Sequence, residues 1–240
     1  MPLPDLRQRQ LIPEVMDQPD LDGNAHRRAL RALSRINRIS NSVGIVYAPL
    51  RALALSHSGP EPLRVLDVAC GGGDVTIGCA VRAKAEGLPL VFEGCDMSET
   101  ALGLSRSQAS EREVSVHFFR QDVISDPIEE GYDAVMSSLF LHHLEEDIAL
   151  QLLTNMRASG CRMVLINDII RSKIGLILAH FAGNVFTRSP VVRFDAPASV
   201  QGAFTIEEVR RLAHEAGLDN AEVRWHWPWR YLLSWTHPDE

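Results

Sequence analysis

Cysteine is scarce in this 240-residue chain: Cys70, Cys79, Cys95 and Cys161 are all there is, with no C-x-x-C spacing. That argues against a disulfide-stapled scaffold, and reduced thiols in or beside the core are expected. Long apolar runs are lacking too. The longest, 174–183, contains His180 and falls short of the about 20 residues that a spanning helix needs. The opening MPLPDLRQRQ has no apolar signal segment. The expectation is therefore a cytoplasmic chain without an integral membrane segment. Positive charge is in deficit, with 24 Lys plus Arg against 31 Asp plus Glu and a net charge of −7. Binding to nucleic acid depends on neutralising phosphates, so no nucleic-acid partner is expected. Glycine and proline show no period, which excludes collagen-like repeats.

What is present suits a globular protein. Hydrophobic residues make up 45% and charged residues 23%, enough to bury a core without staples. Residues 1–25 read as an irregular lead-in with one short helix at 11–16. Residues 26–56 read as helical, with Pro49 expected to break or kink the run. Arg27, Arg28, Arg31, Arg35 and Arg38 form a stripe with no acid between them. It is either a solvated helix face or a cap that sets arginines over an acidic ligand.

From Leu63 the rhythm changes. Short apolar or β-branched runs at 63–68, 90–95, 114–119, 132–137 and 162–167 alternate with helical stretches at 74–86, 99–110 and 145–158. Such alternation predicts a parallel sheet covered on both faces, an α/β fold. Residues 172–200 interrupt it with an apolar helix at 174–186, then a looser stretch through Pro190, Pro197 and Ser199. Thr205 followed by Glu208 predicts a capped helix ending near Gly217. Two strands, 220–227 and 229–236, are expected to close the chain. Residues 1–58 are read as a helical cap and 59–240 as the main domain.

The most informative segment is Val65-Leu66-Asp67-Val68-Ala69-Cys70-Gly71-Gly72-Gly73-Asp74. An apolar strand runs into a glycine turn and then a helix, which lets a ligand approach the backbone closely. It is not a G-x-G-x-x-G loop, because Thr76 stands at the third glycine position, and it lacks the G-K-[ST] of a P-loop. Asp67 would repel a pyrophosphate but can accept from a cationic amino group. Asp96, at the tip of the next strand, can accept from ribose hydroxyls, with Met97 able to pack on a purine. Asp122, after the third strand, can accept from an exocyclic amine. These acids end three consecutive strands, where open α/β sheets bind ligands.

Together with Tyr132-Asp133-Ala134-Val135-Met136 and Leu141-His142-His143-Leu144, these motifs resemble class I S-adenosylmethionine-dependent methyltransferases, most closely over residues 60–170. The resemblance implies a Rossmann-like seven-stranded sheet with its last strand antiparallel, and the cofactor S-adenosyl-L-methionine with S-adenosyl-L-homocysteine as product. It implies that Asp67, Gly71 and Gly73, with Ala69 and Cys70 in the turn, surround the methionine moiety. Asp96 would hold the ribose, Met97 the adenine face, Asp122 with the Val123 backbone the adenine edge, and Ser138 the sulfonium side. Ala69 departs from the glycine that many members carry.

Methyl transfer needs alignment, a dry site and, for a hydroxyl nucleophile, a base. His143 is the favoured base, His142 and Asp168 the other candidates. The apolar insert 172–200 would suit a lid, as in methyltransferases of the quinone and polyketide type, and points to a phenolic or quinone-like acceptor methylated on oxygen or carbon. It could equally pack on the cap or on a second subunit; a monomer or homodimer is expected. The alternatives are an amine or carboxylate acceptor, a cofactor-binding scaffold without catalysis and, more distantly, a nicotinamide oxidoreductase. No metal site is expected, since adjacent histidines do not easily converge and Glu145, Glu146 and Asp147 read as a helix first turn.

Overall fold

The computed structural model describes residues 4–18, 22–185, 187 and 189–238. The seven strands are β1 (Leu63–Val68), β2 (Leu90–Asp96), β3 (Val116–Arg120), β4 (Ala134–Ser138), β5 (Met163–Ile169), β6 (Glu222–His226) and β7 (Arg230–Thr236). They form one sheet in the order β3-β2-β1-β4-β5-β7-β6. β7 alone runs opposite to the others: it is antiparallel to both β5 and β6. The chain thus has the Rossmann-like sheet expected from the strand rhythm and the resemblance.

Strand side chains alternate between the two faces, and each face has its own core. Leu66, Val135, Val164, Ile166 and Leu233 pack under α5 (Glu146–Ala158) and α8 (Ile206–Glu215), with Leu152, Met156, Val209 and Leu212. Their sequence neighbours Val65, Ala134, Met136, Leu165 and Leu232 pack under α2 (Ser42–Ser56) and α3 (Asp74–Glu86), with Val46, Leu50, Val75 and Cys79. Burial on both sides is why these strands read as continuous apolar runs. α4 (Glu99–Glu111) covers β3 through Leu102 and Phe118.

The N-terminal region departs from expectation in two respects. The helical stretch breaks not at Pro49 but at Asn41, between α1 (Gly23–Ile39) and α2, and Pro49 lies inside α2. Asn41 takes a left-handed backbone, φ 54°, and the Ser40 hydroxyl donates to the Ile36 carbonyl, so the turn is made by local polar chemistry. Proline only removes one helical N–H, and the fully buried Val46 and Leu50 on either side hold α2 together. In the lead-in, the helical turn among the described residues is a 3-10 turn at Val15–Asp17, not the helix expected at 11–16.

The insert also differs. α6 (Lys173–Val185) matches the expected apolar helix, while Phe186, expected at its end, lies outside the described residues. The stretch expected to be loose is a second helix, α7 (Pro190–Gly202). Pro190 sits in its first turn, where no N–H is needed, and Val191, Val192, Ala198 and Val200 are buried. Packing therefore overrides the breaker signal of Pro197.

α8 begins as its sequence predicts. The Glu208 N–H donates to the Thr205 hydroxyl oxygen at 3.3 Å, and the Thr205 N–H to Glu208 Oε2 at 2.7 Å. Thr205→Ala is expected to lower stability by about 1 kcal/mol. In a chain of this length that is about 2–4 °C in melting temperature, readable by calorimetry.

Candidate active site

The glycine turn lies between β1 and α3, where the strand order reverses. Ala69, Gly71 and Gly73 all take positive φ, 53°, 54° and 73°. Ala69 thus occupies a conformation that glycine adopts without strain, which gives a backbone reason for the glycine of the resembling family. The Cys70 N–H donates to the Cys95 carbonyl at 2.9 Å and pins the turn to β2.

Beside the turn is an open cleft of about 740 Å³, within the about 300–1,000 Å³ usual for small-molecule sites. Asp67, Ala69, Cys70, Gly71, Asp96, Met97, Asp122, Val123 and Ser138 all line it. Gly73 does not. It starts α3, where a Cβ would meet the Phe118 ring and Ser105 at 3.0 Å, so its role is packing under the turn.

Four carboxylates face this cleft: Asp67, Asp74, Asp96 and Asp122. Asp96 Oδ2 accepts from the Gly71 N–H and Oδ1 from the Ser98 N–H, both at 2.8 Å. Each oxygen retains a lone pair for a diol. Asp122 Oδ1 accepts from the Ile124 and Ser125 amides, and these bonds hold its carboxyl below the usual range. Asp67 is fully buried. Its Oδ2 accepts from the Thr76 hydroxyl at 2.5 Å, while Oδ1 has no partner among the described residues. Burial pushes its carboxyl up to about 7 against the Thr76 bond, with Asp74 and Asp96 adding to the rise. Thr76, at the missing-glycine position, thus serves to hold Asp67. Ser138 Oγ is likewise buried without a partner. A cationic, hydroxyl-bearing ligand satisfies this set; a pyrophosphate does not. Asp96→Ala removes a carboxylate that makes charge-assisted bonds, worth about 1.5–3 kcal/mol. The expected loss in S-adenosylhomocysteine affinity is about tenfold to a hundredfold, measured by calorimetric titration.

A second cavity of about 170 Å³ adjoins the cleft; Met16, Leu33, Asn37, Leu139 and His143 border both. An engineered cavity of about 150 Å³ holds benzene, so one aromatic ring fits. Its walls are largely apolar: Leu33, Ile36, Leu178, Ala179, Val192 and Trp229 among others. α6 presents Leu178, Ala179 and Ala182 to it, while Ile174, Ile177 and Val185 stay exposed on the outer face.

At the polar end stand His142 and His143, in a 3-10 turn after β4, and Glu14 from the lead-in. Asp168, fully buried near the end of β5, faces His142: Oδ1 lies 2.7 Å from Nδ1, and Oδ2 accepts the His142 N–H at 3.1 Å. Burial alone would raise the Asp168 carboxyl, but the imidazole and the Ile169 N–H outweigh it and hold it below the usual range. A carboxylate only accepts, so Nδ1 carries a proton and donates it to Asp168, and Nε2 is the ring nitrogen left to face the cavity end. Asp168 is therefore the partner of a histidine rather than a helix cap. The partnered histidine is His142, whereas His143 is the one that borders both cavities.

The adjacent histidines do converge, against expectation. The turn brings their rings to 4.2 Å between centroids, and both approach Glu14. Glu14 is a functional candidate that the sequence did not mark, because a single acid in an aperiodic lead-in carries no pattern. Arg230 is another. It is buried, its Nη2 donates to Asn37 Oδ1 at 3.0 Å, and Asn37 Nδ2 in turn donates to Asp74 Oδ2 at 3.1 Å. Its Nη1 has no partner among the described residues, and burial pulls it down to about 10 against the opposing pull of Asp168 and Asp74. The five arginines of the α1 stripe are all exposed, away from both cavities.

Comparison with known proteins agrees with this geometry. The sequence profile of a methyltransferase domain matches residues 65–159. A ubiquinone biosynthesis O-methyltransferase of Alkalilimnicola ehrlichii is 38% identical over 102 residues. The match takes in 41% of this chain and 39% of that protein, so the chain spans well under half of this relative. A magnesium protoporphyrin IX methyltransferase of Synechocystis, solved with bound S-adenosylhomocysteine, is 19% identical at a TM-score of 0.58, covering 82% of this chain and 83% of its own. A family 2 O-methyltransferase of Planctomyces limnophilus in complex with apigenin is 16% identical at a TM-score of 0.62, covering 91% of this chain and 63% of its own. At these identities the structures show a shared fold. Among the described residues no helix is long and apolar enough to cross a membrane.

Proposed function

We propose that this chain, which carries a class I S-adenosylmethionine-dependent methyltransferase domain, moves the methyl group of that cofactor to a small, flat, largely apolar acceptor. A phenol or quinol methylated on oxygen or carbon fits best. The observation that carries this reading is the pair of joined cavities. One is lined by acids for a cationic nucleoside. The other is apolar, sized for one ring, and carries a carboxylate–histidine pair at its end. Residues 1–58 act as a cap and 172–200 as a lid, consistent with Leu33 and Ile36 from α1 and Leu178 and Val192 from α6 and α7 lining the acceptor cavity.

In this reading Asp67 receives the amino group of the cofactor, Asp96 the ribose, and Met97, Asp122 and Val123 the adenine. His142 Nε2, with its tautomer set by Asp168, takes the proton of the acceptor. The acceptor atom attacks the methyl carbon, the carbon–sulfur bond breaks, and its electron pair returns to sulfur. The dry, apolar walls exclude water as a competing nucleophile. The ubiquinone biosynthesis O-methyltransferase to which the chain is similar supports an aromatic acceptor.

A second reading has its own observation. Arg230 Nη1, buried beside the acceptor cavity with no partner among the described residues, suits an acceptor that also carries a carboxylate or carbonyl oxygen. The test is calorimetric titration with S-adenosylmethionine and S-adenosylhomocysteine, then an acceptor screen of phenols and quinols with and without a carboxylate. Micromolar binding and turnover of a phenolic acceptor are expected. Cofactor binding without turnover of any such compound overturns the acceptor class, and absence of binding overturns the whole reading.

A further inference from the structure

We propose that Glu14, His142 and His143 form a binding site for one zinc-type divalent metal ion at the polar end of the acceptor cavity. One donor atom from each residue lies within 4.8 Å of the others. Glu14 Oε1 is 3.8 Å from His142 Nε2 and 3.9 Å from His143 Nδ1. These separations are too long for hydrogen bonds and close to the span of two metal–ligand bonds of about 2.0–2.2 Å. Closing them by a few tenths of an ångström reaches tetrahedral geometry.

Three further features point the same way. Asp168 Oδ1 accepts from His142 Nδ1 at 2.7 Å, which leaves Nε2 as the ring nitrogen that faces the Glu14 carboxylate. A ring nitrogen and a carboxylate oxygen facing each other in a buried site can be bridged by one cation. The carboxylate–histidine–metal arrangement is also how proteins orient an imidazole ligand and raise its basicity. Second, Glu14 is built into place. The Ser199 hydroxyl donates to its Oε1, and the flanking Val15 and Met16 amides donate to Asp195 at 2.8 and 3.1 Å. Third, all three residues line the acceptor cavity, so a fourth coordination position opens toward the acceptor. An ion with three protein ligands and one open position is of the catalytic kind. On the methyl-transfer reading above, an occupied site would bind the acceptor oxygen and favour its deprotonated form in place of the base role of His142 Nε2, which then belongs to the metal-free chain. The site itself does not depend on that reading.

The test uses the full chain, stripped with a chelator and retitrated with Zn²⁺ against a chromophoric competitor, then with Co²⁺ while recording the visible spectrum. One Zn²⁺ per chain and a Co²⁺ spectrum typical of four-coordination are expected. Glu14→Gln and His143→Gln are each expected to lower Zn²⁺ affinity at least about tenfold, while His57→Ala, a control outside both cavities, leaves it unchanged. Circular dichroism and S-adenosylhomocysteine titration check that each variant is folded. Substoichiometric Zn²⁺, or binding that neither site variant changes, overturns the proposal. Because no readout involves turnover, failure of the metal site and failure of the methyl-transfer reading are told apart.

Discussion

Asp168→Asn is expected to lower methyl transfer by about 10²–10⁴-fold while leaving S-adenosylhomocysteine binding within about twofold. Asparagine keeps the shape but not the acceptor pattern. Asp168 Oδ1 takes both the His142 Nδ1 proton and the Ile169 N–H, and Oδ2 takes the His142 N–H. An amide offers one oxygen for these two positions. If its nitrogen faces the imidazole, it donates to Nδ1 and forces the proton onto Nε2, so the histidine cannot accept from the acceptor. If the nitrogen faces the backbone, it meets the His142 N–H donor to donor. Stability should also drop, by about 1–3 kcal/mol for the mispaired group. Asp168 lies outside the cofactor cleft, so cofactor binding is the internal control. Single-turnover rates and calorimetric titrations measure the two quantities; an undiminished rate would remove the His142–Asp168 pair from the chemistry.

The second large effect is on cofactor affinity as a function of pH. In the free protein burial holds the Asp67 carboxyl near 7. A ligand ammonium prefers the ionised form, so binding lowers this value and, below pH 7, releases a proton. Affinity for S-adenosylhomocysteine is therefore expected to fall as pH drops below 7, by up to about tenfold per unit, and to level off above it. Titrations in buffers of different ionisation enthalpy should show that proton release. Asp67→Asn is expected to weaken binding and flatten the profile; any remaining slope belongs to Asp74, which burial also raises. For folding the sign is opposite. The folded Asp67 holds its proton more tightly than the about 3.9 of an unfolded chain, so between pH 4 and 7 its contribution to stability declines as pH rises. A pH-independent affinity in the wild-type chain would contradict this account of Asp67.

The cofactor cleft was almost wholly legible in the sequence, and the acceptor end was not. Asp67, Asp96 and Asp122 each end a strand in one local segment, and a parallel sheet must bring such ends to one edge. Nine of the ten positions expected at the cleft line it, and strand–turn–helix chemistry was enough to mark them; Gly73 shares the local signal but serves packing. Glu14, Asn37 and Arg230 lie in a lead-in, a helix and the last strand. They meet through contacts of 193 positions in sequence, as Arg230 does with Asn37. No periodicity marks a residue whose only distinction is what the fold sets beside it. The two misplaced boundaries have a related cause. Proline at 49 and 197 is a local breaker, but burial of Val46 and Leu50, or Val191 and Ala198, is a tertiary gain that local signals do not register.

By itself the sequence determined the α/β rhythm with strands buried on both faces, the glycine turn, the cap of α8 and the acids beside the turn. These follow from side-chain periodicity and backbone conformations fixed within a few residues. Only the tertiary structure decided that Asp168 partners His142, that the neighbouring imidazoles converge on Glu14, that Arg230 is buried at the acceptor cavity and that the arginine stripe faces water. The buried contacts among these depend on segments distant in the chain meeting in a low-dielectric interior, where charged groups are unfavourable unless partnered, and the stripe faces water because no acidic segment among the described residues folds against it.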